Sequence, residues 1–246
     1  MTPKRLLAGL LFAAILAAAV ACGGGDDTPK GTPLPSGRTP APTAPKNASA
    51  ASKLAAKFLA GVDGKHEYLY TGPIGNVTEG TLTAYRLGVN DRQDWTASPF
   101  GIESTTVTIL AADANYLCTV AEDYNFCRVA GVPELEGLRI ISSPIYDALA
   151  AMVTERDKFE YDDLPDETFA GVTGKCYNAS SETRIGDGAP ASEAIKACFA
   201  DDGAVLYFER AITPDSSAIE SSAFTIELQA KSEARLSDFE PTGRIQ

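Results

Sequence analysis

Five cysteines, one histidine and a run of acidic side chains are the residues whose types and spacing could do chemistry in this chain of 246 residues. A histidine-based triad could be built at one place only, around His66, and neither a GxSxG nor an SxxK nucleophile motif occurs. His66 opens a strand after Gly64-Lys65 and reads as a surface or edge residue. No catalytic residue is assigned, and the chain is read as a non-enzyme. The carboxylates Asp157, Glu160, Asp162, Asp163, Asp166 and Glu167 are of the type that holds calcium. They lack the alternating spacing and central glycine of an EF-hand loop, so they read as a solvated loop after a helix. No metal or other cofactor is expected. Asn47-Ala-Ser, Asn76-Val-Thr and Asn178-Ala-Ser match the glycosylation pattern by chance.

Four of the cysteines, Cys118, Cys127, Cys176 and Cys198, have the even count of a disulfide set, which four residues can pair in three ways. Tyr116 to Val120 and Asn125 to Val129 read as strands joined by a two-residue turn at Glu122-Asp123. That register sets Cys118 opposite Cys127, at the Cβ separation a disulfide requires. Cys176 with Cys198 follows by elimination. Four free thiols or a metal site is the alternative; the absence of any CxxC pair and the single histidine weigh against it.

The fifth cysteine, Cys22, ends a different pattern. Lys4 and Arg5 precede an apolar segment from Leu6 to Val20, followed by Ala19-Val20-Ala21-Cys22 and three glycines. A positive end, an apolar segment and small residues at a cleavage point make a secretory signal over residues 1–21. The apolar segment, about 15 residues, is shorter than the roughly 20 that cross a bilayer. Small residues directly before a cysteine resemble the lipobox of bacterial lipoproteins, with Ala19 where that family usually has Leu. The resemblance implies a diacylglycerol on the Cys22 sulfur, cleavage before it and a stably anchored extracytoplasmic protein on the bacterial cell membrane. The Asp that often signals inner-membrane retention in that family is replaced by Gly23.

The chain has 33 Asp and Glu against 21 Lys and Arg, and loss of Lys4 and Arg5 takes its formal charge from -12 to about -14. Such a surface repels phosphate backbones, so nucleic acid is excluded as a partner. Residues 22–46 are rich in Pro, Gly and Thr, with Leu34 the only large apolar side chain, and cannot form a core. They read as a tether that reaches up to roughly 70 Å from the bilayer. Residues 47–246 remain as a single domain, taken to be monomeric.

Short alternating segments fill that domain: His66 to Thr71, Gly80 to Leu87, Asp91 to Ala97, Thr105 to Ala111, the Cys118 hairpin, Phe169 to Tyr177, Ala194 to Phe199, Val205 to Ile212 and Phe224 to Ala230. A type I′ turn at Asp202-Gly203 would pair Phe199 with Leu206, Ala197 with Phe208 and Lys196 with Glu209. Helices are expected from Ser52 to Val62, with Leu54, Phe58, Leu59 and Val62 on one face, and from Pro144 to Asp157, with Ile145, Leu149, Met152 and Val153. Ser143 followed by Pro144 is the start signal of the second. The fold class is α+β and mainly antiparallel: a curved sheet or half-barrel of about eight to eleven strands covered by two or more helices.

This order of elements resembles the lipid-carrying bacterial proteins built like the lipoprotein carriers of the Lol system and the related mycobacterial lipoproteins. The resemblance implies a half-barrel holding a lipid or other hydrophobic molecule under its helices, and carries over no binding residue. Leu54, Phe58, Leu149, Met152, Val153, Phe199, Leu206, Phe208, Phe224 and Ile226 are the candidate lining of such a cavity, and for any single one of them an ordinary core position is the commoner role. The alternative is a cell-envelope interaction or structural module with a filled core, which exposure of Trp95 and Tyr85 together would favour.

Overall fold

Alternation is plainest in the ninth strand, where Ala191, Glu193, Ile195 and Ala197 are buried and Ser192 and Ala194 between them are exposed. Period-2 segments of this kind must pair laterally to satisfy their backbone groups and must bury one face. In a computed structural model of the protein they do both. The structure describes residues 49–74, 77–98, 101–112, 114–131, 135, 142–185, 188–216 and 221–245. The expectations for the signal, Cys22, the tether, Asn47 and Asn76 lie outside the described residues.

The elements run α1 (Ala50–Ala60), β1 (Gly64–Ile74), β2 (Val77–Leu87), β3 (Asn90–Ala97), β4 (Ser104–Leu110), β5 (Asn115–Ala121), β6 (Tyr124–Val129), α2 (Ser142–Thr154), β7 (Glu160–Phe169), β8 (Val172–Ile185), β9 (Ala189–Phe199), β10 (Val205–Pro214), β11 (Ser222–Ser232) and β12 (Arg244–Ile245). Short 3₁₀ turns follow α2 and β11. The strands form one open, curved sheet of 12, in the order β12-β6-β5-β4-β3-β2-β1-β11-β10-β9-β8-β7, antiparallel except where β12 joins β6. Six strands thus run outward from β1, and the chain returns through α2 to build the other half inward until β11 closes on β1.

Three local expectations are corrected. The acidic segment read as a loop is the edge strand β7, whose carboxylates pair outward with Lys175 and Lys196 and whose Pro165 lies at a register shift. An edge strand accommodates both features, since a free edge asks nothing of a missing N–H and charges there block further pairing. The expected strand from Phe169 is the end of β7, a two-residue turn at Ala170-Gly171 with φ of 49° and 78°, and then β8. The β9–β10 turn is not type I′: Gly203 donates to the Ala200 carbonyl and Ala200 to that of Ala204, with φ of +93° at Gly203 only. This is the three-residue loop that ends in a left-handed glycine. It pairs Phe199 with Val205 rather than Leu206, and a register shift between Val205 and Tyr207 restores Ala197 opposite Phe208 and Lys196 opposite Glu209.

The disulfides join Cys118 to Cys127 and Cys176 to Cys198, each a directly opposed cross-strand pair with Cα atoms 4.0 Å apart. In α2 the expected Ile145, Leu149, Met152 and Val153 are buried. The helix starts at Ser142, and the capping side chain expected at Ser143 lies outside the described residues. In α1 the fully buried positions are the small Ala51, Ser52 and Ala55, with Leu54 and Phe58 only partly covered. Small residues let the two helices approach, and Ser52 Oγ donates to the Met152 carbonyl at 2.8 Å. Ser49, not Ser52, starts α1: its hydroxyl accepts from the Ser52 N–H at 3.1 Å.

One face of the sheet and the helices enclose the main core, built from Tyr68, Tyr70, Leu82, Phe208, Ile226 and Leu228 against the α2 side chains. The opposite face, over β3 to β6, carries a smaller core of Val107, Ile109, Cys118 and Cys127 capped by Phe239 from the C-terminal 3₁₀ turn. Trp95 and Tyr85 lie on opposite faces, Trp95 in the first core and Tyr85 in the second, so they form no common patch.

Candidate ligand-binding site

The site begins with the alternation of β1. Lys65 and Glu67 pair with each other at 2.6 Å on one face, while the alternate residues His66, Tyr68 and Tyr70 are buried. His66 is therefore not the surface residue expected: it is 5% exposed, on a central strand, between Ala84 of β2 and Lys231 of β11. Its neighbours in sequence are charged, but period 2 sends them to the other face.

Above His66, α1 ends. Gly61 takes φ of +100° and donates to the Lys57 and Phe58 carbonyls, closing the helix, and Arg86 of β2 donates to the Ala60 carbonyl at 2.9 Å. A Cβ on Gly61 would lie 1.8 Å from the Arg86 Cζ, so only glycine lets the guanidinium cover this helix end. From the other side come Ile145 and Tyr146 at the start of α2, with the Tyr146 ring 5.2 Å from that of Phe58.

Between these elements and the sheet is a cavity of about 50 Å³. Its apolar wall comes from Phe58, Val62, Tyr68, Leu82, Ala84, Ile145 and Ile226, and its polar wall from His66, Arg86, Asp91, Gln93 and Tyr146. The volume suits three or four waters, or one small polar group, and not a whole acyl chain. Asp91 and Gln93 are buried on the same face of β3. Nε2 of His66 is enclosed and has no hydrogen-bond partner. Burial, helped by the Lys231 ammonium and opposed by Asp202, pulls the His66 imidazole down to about 4, so the ring is neutral at physiological pH. Burial likewise pushes the Tyr68 phenol far up, and its hydroxyl donates to the Val205 carbonyl at 3.1 Å.

Of the ten candidate lining residues, only Phe58 and Ile226 border this cavity. Leu149, Met152, Val153, Phe199, Leu206 and Phe208 are buried core residues, and Leu54 and Phe224 pack against that core. Aromatic rings fill the space expected to stay open: Tyr70 meets Trp95 edge-on at 5.5 Å and stacks on Phe224 at 6.0 Å, and Phe224 lies 5.9 Å from Phe208. The residues that sequence reasoning missed are the polar ones. The signal for His66 was present in the i, i+2, i+4 series His66, Tyr68, Tyr70, which shares one strand face.

Among the described residues no helix is long and apolar enough to cross a membrane. No family model matches the chain, and no curated protein matches it in sequence. Solved structures with similarity to the chain include MucB, at 9% identity and a TM-score of 0.37 over 72% of this chain, and a putative outer membrane lipoprotein-sorting protein domain from Vibrio parahaemolyticus, at 10% identity and a TM-score of 0.21 over 72% of this chain and 88% of its own. The chain spans 56% of the length of MucB.

Proposed function

We propose that the protein is an extracytoplasmic lipoprotein, anchored through lipid on Cys22, that binds or carries a hydrophobic molecule between the α1–α2 pair and the sheet. The observation that carries this reading is the mixed apolar and polar cavity under the end of α1, on the face the helices cover. Two disulfides suit an oxidising compartment, and the lipobox-like ending of the signal supports anchoring. Admitting a chain beside Phe58, Leu82 and Ile226 would require the helices to move away from the sheet residues they cover. Affinity would come from burial, about 2.5 kcal/mol for each 100 Å² of apolar surface removed from water, and no covalent step is involved.

Native mass spectrometry of the chain from its own host, with organic extraction of what it holds, tests this directly. A stoichiometric lipid of defined mass is the expected result, and a bare protein mass would sink the carrier reading. In the same host, the chain is expected to begin at Cys22 and to carry the mass of a diacylglycerol on that residue, and an unmodified Cys22 would sink the anchor. A second reading, a protein-interaction module, is favoured by the exposed Tyr124, Val129 and Ile245 on the β6–β12 edge. Under that reading the protein is lipid-free and substitution of these three by Ser abolishes its cross-links to an envelope partner.

A further inference from the structure

The buried His66 Nε2 needs an explanation, because an enclosed polar atom without a partner is costly and uncommon in folded proteins. His66 lines a cavity that is too small for a chain but large enough for a head group. We propose that this cavity is the head-group end of the binding site and that it takes the uncharged hydroxyl of an amphiphile, hydrogen-bonded to Nε2 of His66. The inference rests on the carrier reading above and adds to it a ligand class and a recognition residue.

Charge on the lining selects against the alternatives. The Asp91 carboxylate, on a chain with formal charge -12, opposes a carboxylate or phosphate head. Arg86 in the same lining and Lys231 beside His66 oppose an ammonium head. Arg86 stands directly opposite Asp91 in the β2–β3 pair and Lys231 pairs with Asp202, so each cation has a carboxylate beside it and the lining favours neither ionic head. What remains is a neutral group. A neutral imidazole presents Nε2 as donor or acceptor according to its tautomer, and a hydroxyl is the group that can pair with either. The ring is held in the neutral form by its burial. Ala84, opposite His66 in β2, leaves the room for that hydroxyl, and Phe58 and Ile226 mark where the alkyl part continues.

The test uses the chain from Gly23 onward, which carries neither the apolar signal nor the acylated cysteine and so needs no detergent, with decanol, decanoate and decane as probes competing against a fluorescent apolar dye. The unsubstituted site is expected to prefer decanol to decane by about tenfold, the value of one well-placed hydrogen bond in a buried site, and to disfavour decanoate. His66→Leu should remove the preference for decanol while leaving decane binding intact, and His66→Gln should restore most of it. Decanol and decane binding equally, a preference unchanged in His66→Leu, or decanoate binding best would each overturn the head-group assignment while leaving a carrier of apolar chains standing. Failure of all three probes to displace the dye or bind would overturn the carrier reading and this inference with it. Thermal melts of both variants establish that the fold is intact.

Discussion

Under the C-terminal turn, the sheet buries Arg92; under the helices, it buries His66, and the two are treated in opposite ways. Arg92 donates twice to Asp94, at 2.6 and 2.8 Å, and to the Asp238 carbonyl at 2.8 Å, and its guanidinium lies 5.2 Å from the Tyr85 ring centre. His66 is as well enclosed, yet its Nε2 meets no partner, and the residue lines a cavity. A satisfied buried polar group fastens a structure, here the chain end to the sheet through Arg92 and Phe239. An unsatisfied one bordering a space is where a ligand can gain energy by binding. The difference separates the face fastened by the chain end from the face proposed to bind.

The sharpest break of that comparison is Arg92→Met. It leaves the Asp94 carboxylate without its partner and frees the C-terminal turn, and we expect a loss of about 4 kcal/mol of stability with no change in the decanol preference. Chemical denaturation together with the binding assay checks both halves.

His66 should show its character through pH. Its folded value of about 4 lies below the ordinary 6.5, so between those values the unfolded chain binds a proton that the folded chain does not. Stability is then fully present above about pH 6.5 and falls with acidification, by about 2 kcal/mol between pH 7 and pH 5. His66→Leu should erase that part of the pH dependence, as melts across the range would show, whereas Arg92→Met should leave it in place. A slope unchanged in His66→Leu would mean that other groups cause it.

Filling the cavity sharpens the contrast from the other direction. Ala84→Leu should be stabilising by about 1 kcal/mol, because it occupies empty space, and should lose binding of all three probes. Lastly, Ala170→Gly in the β7–β8 turn relieves a left-handed alanine and is expected to add about 0.5 kcal/mol without touching either face's behaviour. Equilibrium unfolding detects the gain, and any effect on binding would show that the faces are coupled through the sheet.

The segments that the sequence resolved correctly are those where local pattern and tertiary need coincide. The β5–β6 hairpin is one: alternation, a two-residue turn and opposed cysteines all specify Cys118 against Cys127. The apolar face of α2 is another, since Ile145, Leu149, Met152 and Val153 repeat at helical spacing and can only turn inward. β7 was illegible because its carboxylates are acceptable in a strand only if that strand is an edge, and edge position is set by the other eleven strands. The turn at Ala170-Gly171 was hidden by an alanine where a residue tolerant of positive φ was expected.

By itself, then, the sequence determined most of the elements and the disulfide partners, because each depends on residues near one another along the chain or on a strict period. Whether the space beneath the helices stays open was decided by the tertiary structure alone. Tyr70, Trp95, Phe208 and Phe224 come from strands far apart in the chain, and only their mutual packing closes most of that space. The same packing leaves a remnant of it beside His66, where Arg86 covers the end of α1.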